Sequence, residues 1–191
     1  LADGSIQTVP YSYSKEGKNE FWETGNQNQT DLSFSSGDEK GNIYAAAQYF
    51  KQNSTVPWDT YNRYSFRVNT DRNIGNSVKV AVSVNYIASN TDVSSQAGNA
   101  FTNVLMSPSQ VPLTRYKNWR TNPFANPNGY YNEYFDNPYY TLENNRSLTK
   151  NNYLQASMEL KWNPIKPLTF TSRLGLSGRD VFNKVTSGKF E

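Results

Sequence analysis

The chain of 191 residues contains no cysteine and no histidine. Without cysteine there is neither a disulfide framework nor a thiolate metal site. The missing histidine removes the commonest general base and the commonest metal ligand together, which weighs against most hydrolase and metalloenzyme readings. No two Lys or Arg are adjacent, and the 19 basic and 16 acidic residues, formal charge +3, are scattered singly. Nucleic-acid binders concentrate basic charge on one face, so no nucleic-acid partner is expected. No apolar run approaches the length of a spanning helix, and no charged stretch leads into an apolar one after Leu1, so no secretory leader is read there. That excludes helical spans only, because spanning strands are short and half apolar.

Apolar residues are also scarce, at 36% with a mean hydropathy of −0.80, yet aromatics reach 15%, with 14 Tyr, 10 Phe and 4 Trp. Disordered chains are depleted in aromatic residues, so disorder is a poor account of this composition. A polar chain rich in Tyr, Asn, Ser and Thr suits antiparallel sheet with one wet and one greasy face.

The periodicity agrees. From Ser77 to Tyr86, Val78, Val80, Val82, Val84 and Tyr86 alternate with Ser77, Lys79, Ala81, Ser83 and Asn85. On a strand all five apolar side chains share one face, whereas a helix would scatter them. Tyr64, Phe66 and Val68 alternate with Arg63, Ser65, Arg67 and Asn69; Leu154 to Trp162 and Leu168 to Leu176 repeat the pattern. Weaker candidates at Asp31 to Ser36 and Asn42 to Phe50 bring the expected strands to six.

Their connections alternate in length. Short turns lie at Gly37 to Gly41, Asp71 to Asn76 and Asn163 to Pro167, each with Gly, Asn, Asp or Pro where turn chemistry wants them. Between them come a medium loop, Gln52 to Thr60, and a very long one, Asp92 to Asn151. This is the rhythm of an outer-membrane barrel, whose turns are tight at one end and whose loops are long at the other. Tyr86 and Trp162 close apolar faces at opposite ends, as aromatic girdles do. A soluble sandwich shares the alternation, so both architectures stay open, with the loop rhythm favouring the barrel. The fold class expected is therefore all-β, with about six antiparallel strands.

A connection this long needs structure of its own. Ala97, Phe101, Val104 and Leu105 are spaced for a short amphipathic helix over 97–106, stopped by Ser107-Pro108. Beyond it, Trp119 to Tyr140 is dense in Asn, Pro and aromatics. The organisation expected is a loop over 1–30, strands over 31–91, a long loop over 92–151, a hairpin over 152–178 and the start of another loop over 179–191.

Several passages resemble the SusC/RagA transporters of Bacteroidetes outer membranes. They are Phe21-Trp22-Glu23-Thr24-Gly25, then Asp31-Leu32-Ser33-Phe34-Ser35-Ser36-Gly37, and Val56-Pro57 leading to Arg63-Tyr64-Ser65-Phe66-Arg67-Val68-Asn69. Gly98-Asn99-Ala100-Phe101, Val111-Pro112-Leu113, Asp136-Asn137-Pro138-Tyr139-Tyr140-Thr141 and Asn144-Asn145-Arg146 follow in order. The resemblance implies a barrel of roughly 22 strands with a plugged lumen, of which this chain supplies part. It implies TonB-dependent import of nutrient oligomers, glycans or peptides, a SusD-like surface lipoprotein as lid, and a TonB complex acting through a plug domain outside this chain. Short turns would face the periplasm and long loops the exterior.

Two residue sets are candidates for function. Trp58, Trp119, Tyr130, Tyr131, Tyr134, Phe135, Tyr139 and Tyr140 carry rings able to stack on a ligand or anchor a partner. Packing of the loop on itself is the favoured alternative. Arg63, Arg67, Lys79, Glu159, Lys161 and Arg173 fall on the polar faces and are expected to line a lumen, with solvated or cross-strand pairs as the plainer reading. Carboxylate pairs such as Asp38-Glu39 lack the fixed separation that acid-base catalysis requires. No enzyme activity, cofactor or metal is expected. A soluble carbohydrate-binding sandwich and a passive porin are the alternative functions.

Overall fold

The computed structural model describes residue 8 and residues 10–188, and its main body is one six-stranded antiparallel sheet in chain order. The strands are β1 (Asn26–Asp38), β2 (Gly41–Asn53), β3 (Thr60–Ile74), β4 (Val78–Ser94), β5 (Asn145–Ile165) and β6 (Leu168–Ser187). Three helices, α1 (Lys18–Phe21), α2 (Ala97–Met106) and α3 (Pro138–Asn144), lie in the long connections with a 3₁₀ turn at Leu113–Tyr116. The sheet is open, with β1 and β6 at its edges.

All six strands outrun the stretches whose alternation predicted them. Residues 26–30 belong to β1 and residues 179–187 to β6, where loops were expected. A ladder is extended by backbone pairing, which needs no apolar side chain, so Asn26↔Asn53 and Asn145↔Ser187 pair without any periodic signal. The rest of the loops expected over 1–30 and 179–191 includes residues 1–7, 9 and 189–191, which lie outside the described residues. Helix α2 has the bounds its spacing predicts.

Tight turns join the strands at one end. Gly75 has φ 62°, a left-handed value that only glycine takes without strain. Gly41 lies so near the Asp71 carbonyl on β3 that a Cβ there would collide with it. The longer connections gather at the opposite, loop end.

Register assembles two continuous faces. On one, Leu32, Ala47, Phe66, Tyr86 and Leu154 are successive cross-strand partners, and one step nearer the turns Phe34, Ala45, Val68, Val84, Ala156 and Leu176 form the next row. The larger side chains of these rows are open: Leu32 is 74% exposed, Phe34 60% and Leu176 62%. Toward the loop end the apolar face stops at a polar row, Asn28, Lys51, Asn62, Asn90 and Lys150. Rings sit near both limits. Tyr49 and Tyr64 lie 5.0 Å apart toward the loops, and Trp162 stacks on Phe170 at 5.6 Å beside the turns.

The buried core lies outside the sheet. Phe21, Ala100, Val104, Val111, Leu113, Trp119, Ala125, Tyr139, Tyr140 and Leu142 pack together in the connections, forming a cap at the loop end. Antiparallel hairpins need no core to satisfy their backbone, whereas a long connection folds only by burying side chains of its own.

Candidate functional site

The cap is organised around one asparagine. Asn137 is fully buried and caps α3: its Oδ1 accepts from the Tyr139 amide at 3.0 Å, and Pro138 begins the helix. Its Nδ2 donates to the carbonyls of Tyr116 at 2.8 Å and Ala125 at 2.7 Å. One side chain thus ties the 3₁₀ turn, the Asn/Pro-rich stretch and α3 together. Helix α2 adds Ala100 and Val104 to the core, and Asn103 Nδ2 donates to the Asp136 carbonyl at 3.0 Å. Residues before β1 join through Phe21, whose ring lies 4.6 Å from that of Tyr139, and through Thr114 N–H to the Glu16 carbonyl at 3.0 Å.

The eight aromatic candidates do not form one platform. Tyr139 and Tyr140 are buried core residues that present no open ring face. Burial pushes the Tyr139 phenol up to about 12, with Glu23 and Glu20 adding to the shift, so it stays protonated at neutral pH. Tyr130 and Tyr131, half-buried, cluster with Tyr116 at centroid distances of 5.2 and 5.8 Å. Burial likewise raises the Tyr130 phenol, with Tyr131 contributing next. Trp119 is buried, with Nε1 donating to Glu143 at 2.8 Å and the Arg120 guanidinium 4.3 Å from its ring. Phe135 is half-buried, and only Tyr134, at 89%, stands fully exposed.

Trp58 differs from the rest. It is half-buried with φ 64°, the one non-glycine residue described at positive φ. The Asp59 amide donates to the Val56 carbonyl at 3.2 Å, so Val56-Pro57-Trp58-Asp59 is a reverse turn with proline second and Trp58 third. That third position of a type II turn ordinarily takes glycine. A tryptophan held there stores strain of about 1 kcal/mol, which its surroundings must offset. Its ring packs edge-on to Tyr139 at 5.9 Å, Lys117 lies 5.5 Å over it, and its carbonyl accepts from Arg146 at 3.0 Å. A cavity of about 280 Å³ opens beside it, lined by Lys117, Trp119, Arg120 and Glu143.

The six charged candidates share one sheet face. Lys79 partners Lys161, Glu159 partners Arg173, and Arg63 and Arg67 fall in the same alternation on β3. Asp31, Asp71 and Arg179 also lie on this face, although the alternation alone did not single them out. A trough of about 910 Å³ runs over the face near the turn end, lined by Ser35, Tyr44, Asn69, Ser83, Glu159 and Arg173. A second, of about 420 Å³, lies nearer the loops around Gln48, Arg63 and Arg67.

Arg146 is the junction residue that the candidate sets omit. It binds Asp59, Asp92 and two backbone carbonyls where cap and sheet meet. Its partners are 87 and 54 residues away, so no spacing rule reveals them. Among the described residues no cluster of acidic side chains could hold a metal ion, and no helix is long and apolar enough to cross a membrane.

Comparison with protein-family models and with curated proteins gives no match to this sequence. The structural class is thus a six-stranded antiparallel meander with a folded cap at its loop end.

Proposed function

We propose that this chain forms wall and outer mouth of an outer-membrane β-barrel, and that the barrel is a TonB-dependent importer of nutrient oligomers. The observation that carries the reading is the apolar face, contiguous over all six strands and free of charge through its middle. A soluble monomer ordinarily leaves at most a few hundred Å² of contiguous apolar surface open. On β4 the apolar positions run from Val78 to Ala88; the rows through Val82, Val84 and Tyr86 carry no charge, and Arg72 with Asp38 and Asp180 stand in the rows on either side. About 11 residues at roughly 3.3 Å each, tilted by about 40°, span about 28 Å, close to the hydrocarbon thickness of a bilayer. Rings near both limits and a polar row beyond Tyr49 and Tyr64 fit the two interfaces.

Lipid offers no partner to an open sheet edge, so the reading requires further strands beside β1 and β6 to complete the barrel. The resemblance to SusC/RagA transporters supplies the rest: a plug reached by TonB, a SusD-like lipoprotein over the mouth, and glycans or peptides as cargo. The polar face with its troughs then becomes lumen wall, and the cap becomes part of the outer mouth.

The segment has no cysteine, so single cysteines can be introduced and spin-labelled along β4 in the full-length protein reconstituted in bilayers. Labels at Val80, Val82 and Val84 should collide with oxygen, which concentrates in lipid, far more than labels at Ala81, Ser83 and Asn85. Equal oxygen access on both faces would remove the membrane reading. A soluble sandwich would hide the even-numbered positions from oxygen and water-soluble relaxants alike. Purification of the full-length protein from outer membranes without an associated surface lipoprotein would remove the importer assignment.

A further inference from the structure

The cations of the polar face fall into two groups by what they bond. Toward the turn end, Lys79 lies 2.8 Å from Asp71 and Lys161 3.0 Å from Glu159, whose other oxygen accepts from Arg173. Those three cations share two carboxylates within the sheet. Toward the loop end, no guanidinium of this face meets a carboxylate among the described residues. Arg63 donates to the Gln48 amide oxygen at 2.7 Å, and its buried Nε has no partner. Arg179 donates to the Asn151 amide oxygen at 2.6 Å, and Arg67 stands exposed. Asp31, the carboxylate of that half, is bonded by the amides of Gln29 at 2.6 Å and Gln48 at 2.7 Å. Gln48 therefore stands between Asp31 and Arg63.

An amide acceptor neutralises nothing, so these guanidinium groups keep their full charge and spare N–H donors. A guanidinium fork matches a carboxylate bidentately and binds it more strongly than a neutral amide. Arg63 and Arg67 border the trough of about 420 Å³, with Asp31 at its β1 side held by Gln29 and Gln48, and Ser65 and Asn85 supply neutral hydrogen-bonding groups between the two arginines. The face carries six cations, Arg63, Arg67, Lys79, Lys161, Arg173 and Arg179, against Asp31, Asp71 and Glu159, and two of the three excess positive charges lie in the loop-end half.

We propose that the loop-end half of the polar face is a binding track for an oligomer bearing carboxylate groups, with Arg63, Arg67 and Arg179 as its anion contacts. This rests on the reading of the chain as importer wall. Uronate-containing sugars and acidic peptides share the required chemistry, and the turn-end half, closed into ion pairs, contributes little.

The test uses the full-length protein in detergent with three fluorescent probes of equal length: tetragalacturonate, tetraglutamate and neutral maltotetraose. At low salt at least one anionic probe should bind more tightly than the neutral one. Joint replacement by Arg63→Gln, Arg67→Gln and Arg179→Gln should weaken that binding about tenfold, as for three exposed ion contacts. Raising salt to about 0.5 M should weaken it as well, through screening. Lys40→Gln, in the β1–β2 turn, should leave it unchanged. Preference for tetragalacturonate assigns a glycan source, and preference for tetraglutamate a peptide source. Equal binding of neutral and anionic probes, no anionic binding, or an unchanged triple variant would each overturn the proposal. Oxygen access along β4, measured on the same triple variant, tells loss of the binding track from failure of the membrane reading.

Discussion

Arg146, near the start of β5, donates to Oδ1 of Asp59 at 2.9 Å across 87 residues of sequence, and the pair is nearly sealed from water, with side-chain exposures of 16% and 8%. The same guanidinium reaches Asp92 at 2.8 Å and the carbonyls of Trp58 at 3.0 Å and Leu142 at 3.2 Å. The end of β4, the turn before β3 and the end of α3 therefore meet on one planar cation. Cap and sheet are joined there.

Removal of that cation leaves Asp59 buried with only the Ser94 amide, at 2.8 Å, as its partner. Breaking a buried pair from one side costs about 3 to 5 kcal/mol. Arg146→Ala should destabilise the cap by about 3 kcal/mol, seen as faster proteolysis within residues 95–144 while the sheet stays resistant. Arg146→Lys should recover only a minor part, since one ammonium cannot span these acceptors. Unchanged cleavage in Arg146→Ala would show that the cap is held elsewhere.

Asp59 also sets a pH dependence. Burial raises its carboxyl above the ordinary 3.8, outweighing the Ser94 amide and Arg146, which pull it down. A raised folded value means that the folded chain takes up a proton at a pH where the unfolded chain does not. Local stability from this group is therefore greatest below 3.8 and is lost as pH rises through the raised folded value. Asp59→Asn keeps an acceptor for Ser94 but has no proton to gain. On acidification from neutral pH to about 4, amide exchange across the cap, residues 97–144, corrected for intrinsic rate, should slow in the natural protein relative to Asp59→Asn. A difference that stays constant, or reverses, contradicts the assignment.

Trp58 yields an unusual order of variants. Glycine adopts φ near 64° freely, whereas alanine keeps much of the strain that tryptophan bears there. Both replacements lose the ring contact with Tyr139. Trp58→Gly should therefore be more stable than Trp58→Ala by about 1 kcal/mol, although glycine is normally the worse choice. Denaturant midpoints of the two variants decide the point; alanine above glycine would mean that the turn is unstrained.

What the sequence discloses follows from which interactions are local. Alternation along Val78 to Tyr86 is set by neighbours on one strand, so it identifies β4 and the face of Lys79 directly. The spacing of Ala97, Phe101, Val104 and Leu105 marks α2 for the same reason. In contrast, α3 begins at Asn137-Pro138 among aromatics whose spacing fits neither period, and it is visible only through the Asn137 cap. Beyond Ser177, adjacent Val181 and Phe182 break the alternation, so the far half of β6 is set by pairing with β5 rather than by its own pattern. The Arg146 junction and the Trp58 turn depend on contacts that close only in three dimensions.

The aromatic cap residues can be divided by truncation. Tyr139 packs against Phe21 and Trp58, whereas Tyr134 is 89% exposed. Tyr139→Ala should cost about 3 kcal/mol or more through the cavity it leaves. Tyr134→Ala should alter stability by less than about 0.5 kcal/mol, as surface changes do. Any effect of Tyr134→Ala on binding then reports contact with ligand or partner. A large stability loss from Tyr134→Ala would mean that the ring is packed in the folded protein.

The sharpest contrast lies in adjacent residues on β4. Val82 partners Thr70 and Met158 on the apolar face, while Ser83 partners Asn69 and Ser157 on the other and donates to Asn69 Oδ1 at 2.7 Å. If the apolar face meets lipid, a lysine at position 82 sits near the bilayer midplane and costs about 2 to 4 kcal/mol. A lysine at position 83 projects into water and forfeits one exposed hydrogen bond, about 1 kcal/mol. The expected result for the full-length protein in bilayers is a much lower unfolding midpoint for Val82→Lys than for Ser83→Lys. Side-chain size and charge are the same in the two variants, so only the face distinguishes them. Equal losses would mean that both faces see the same solvent, which no bilayer-spanning wall allows.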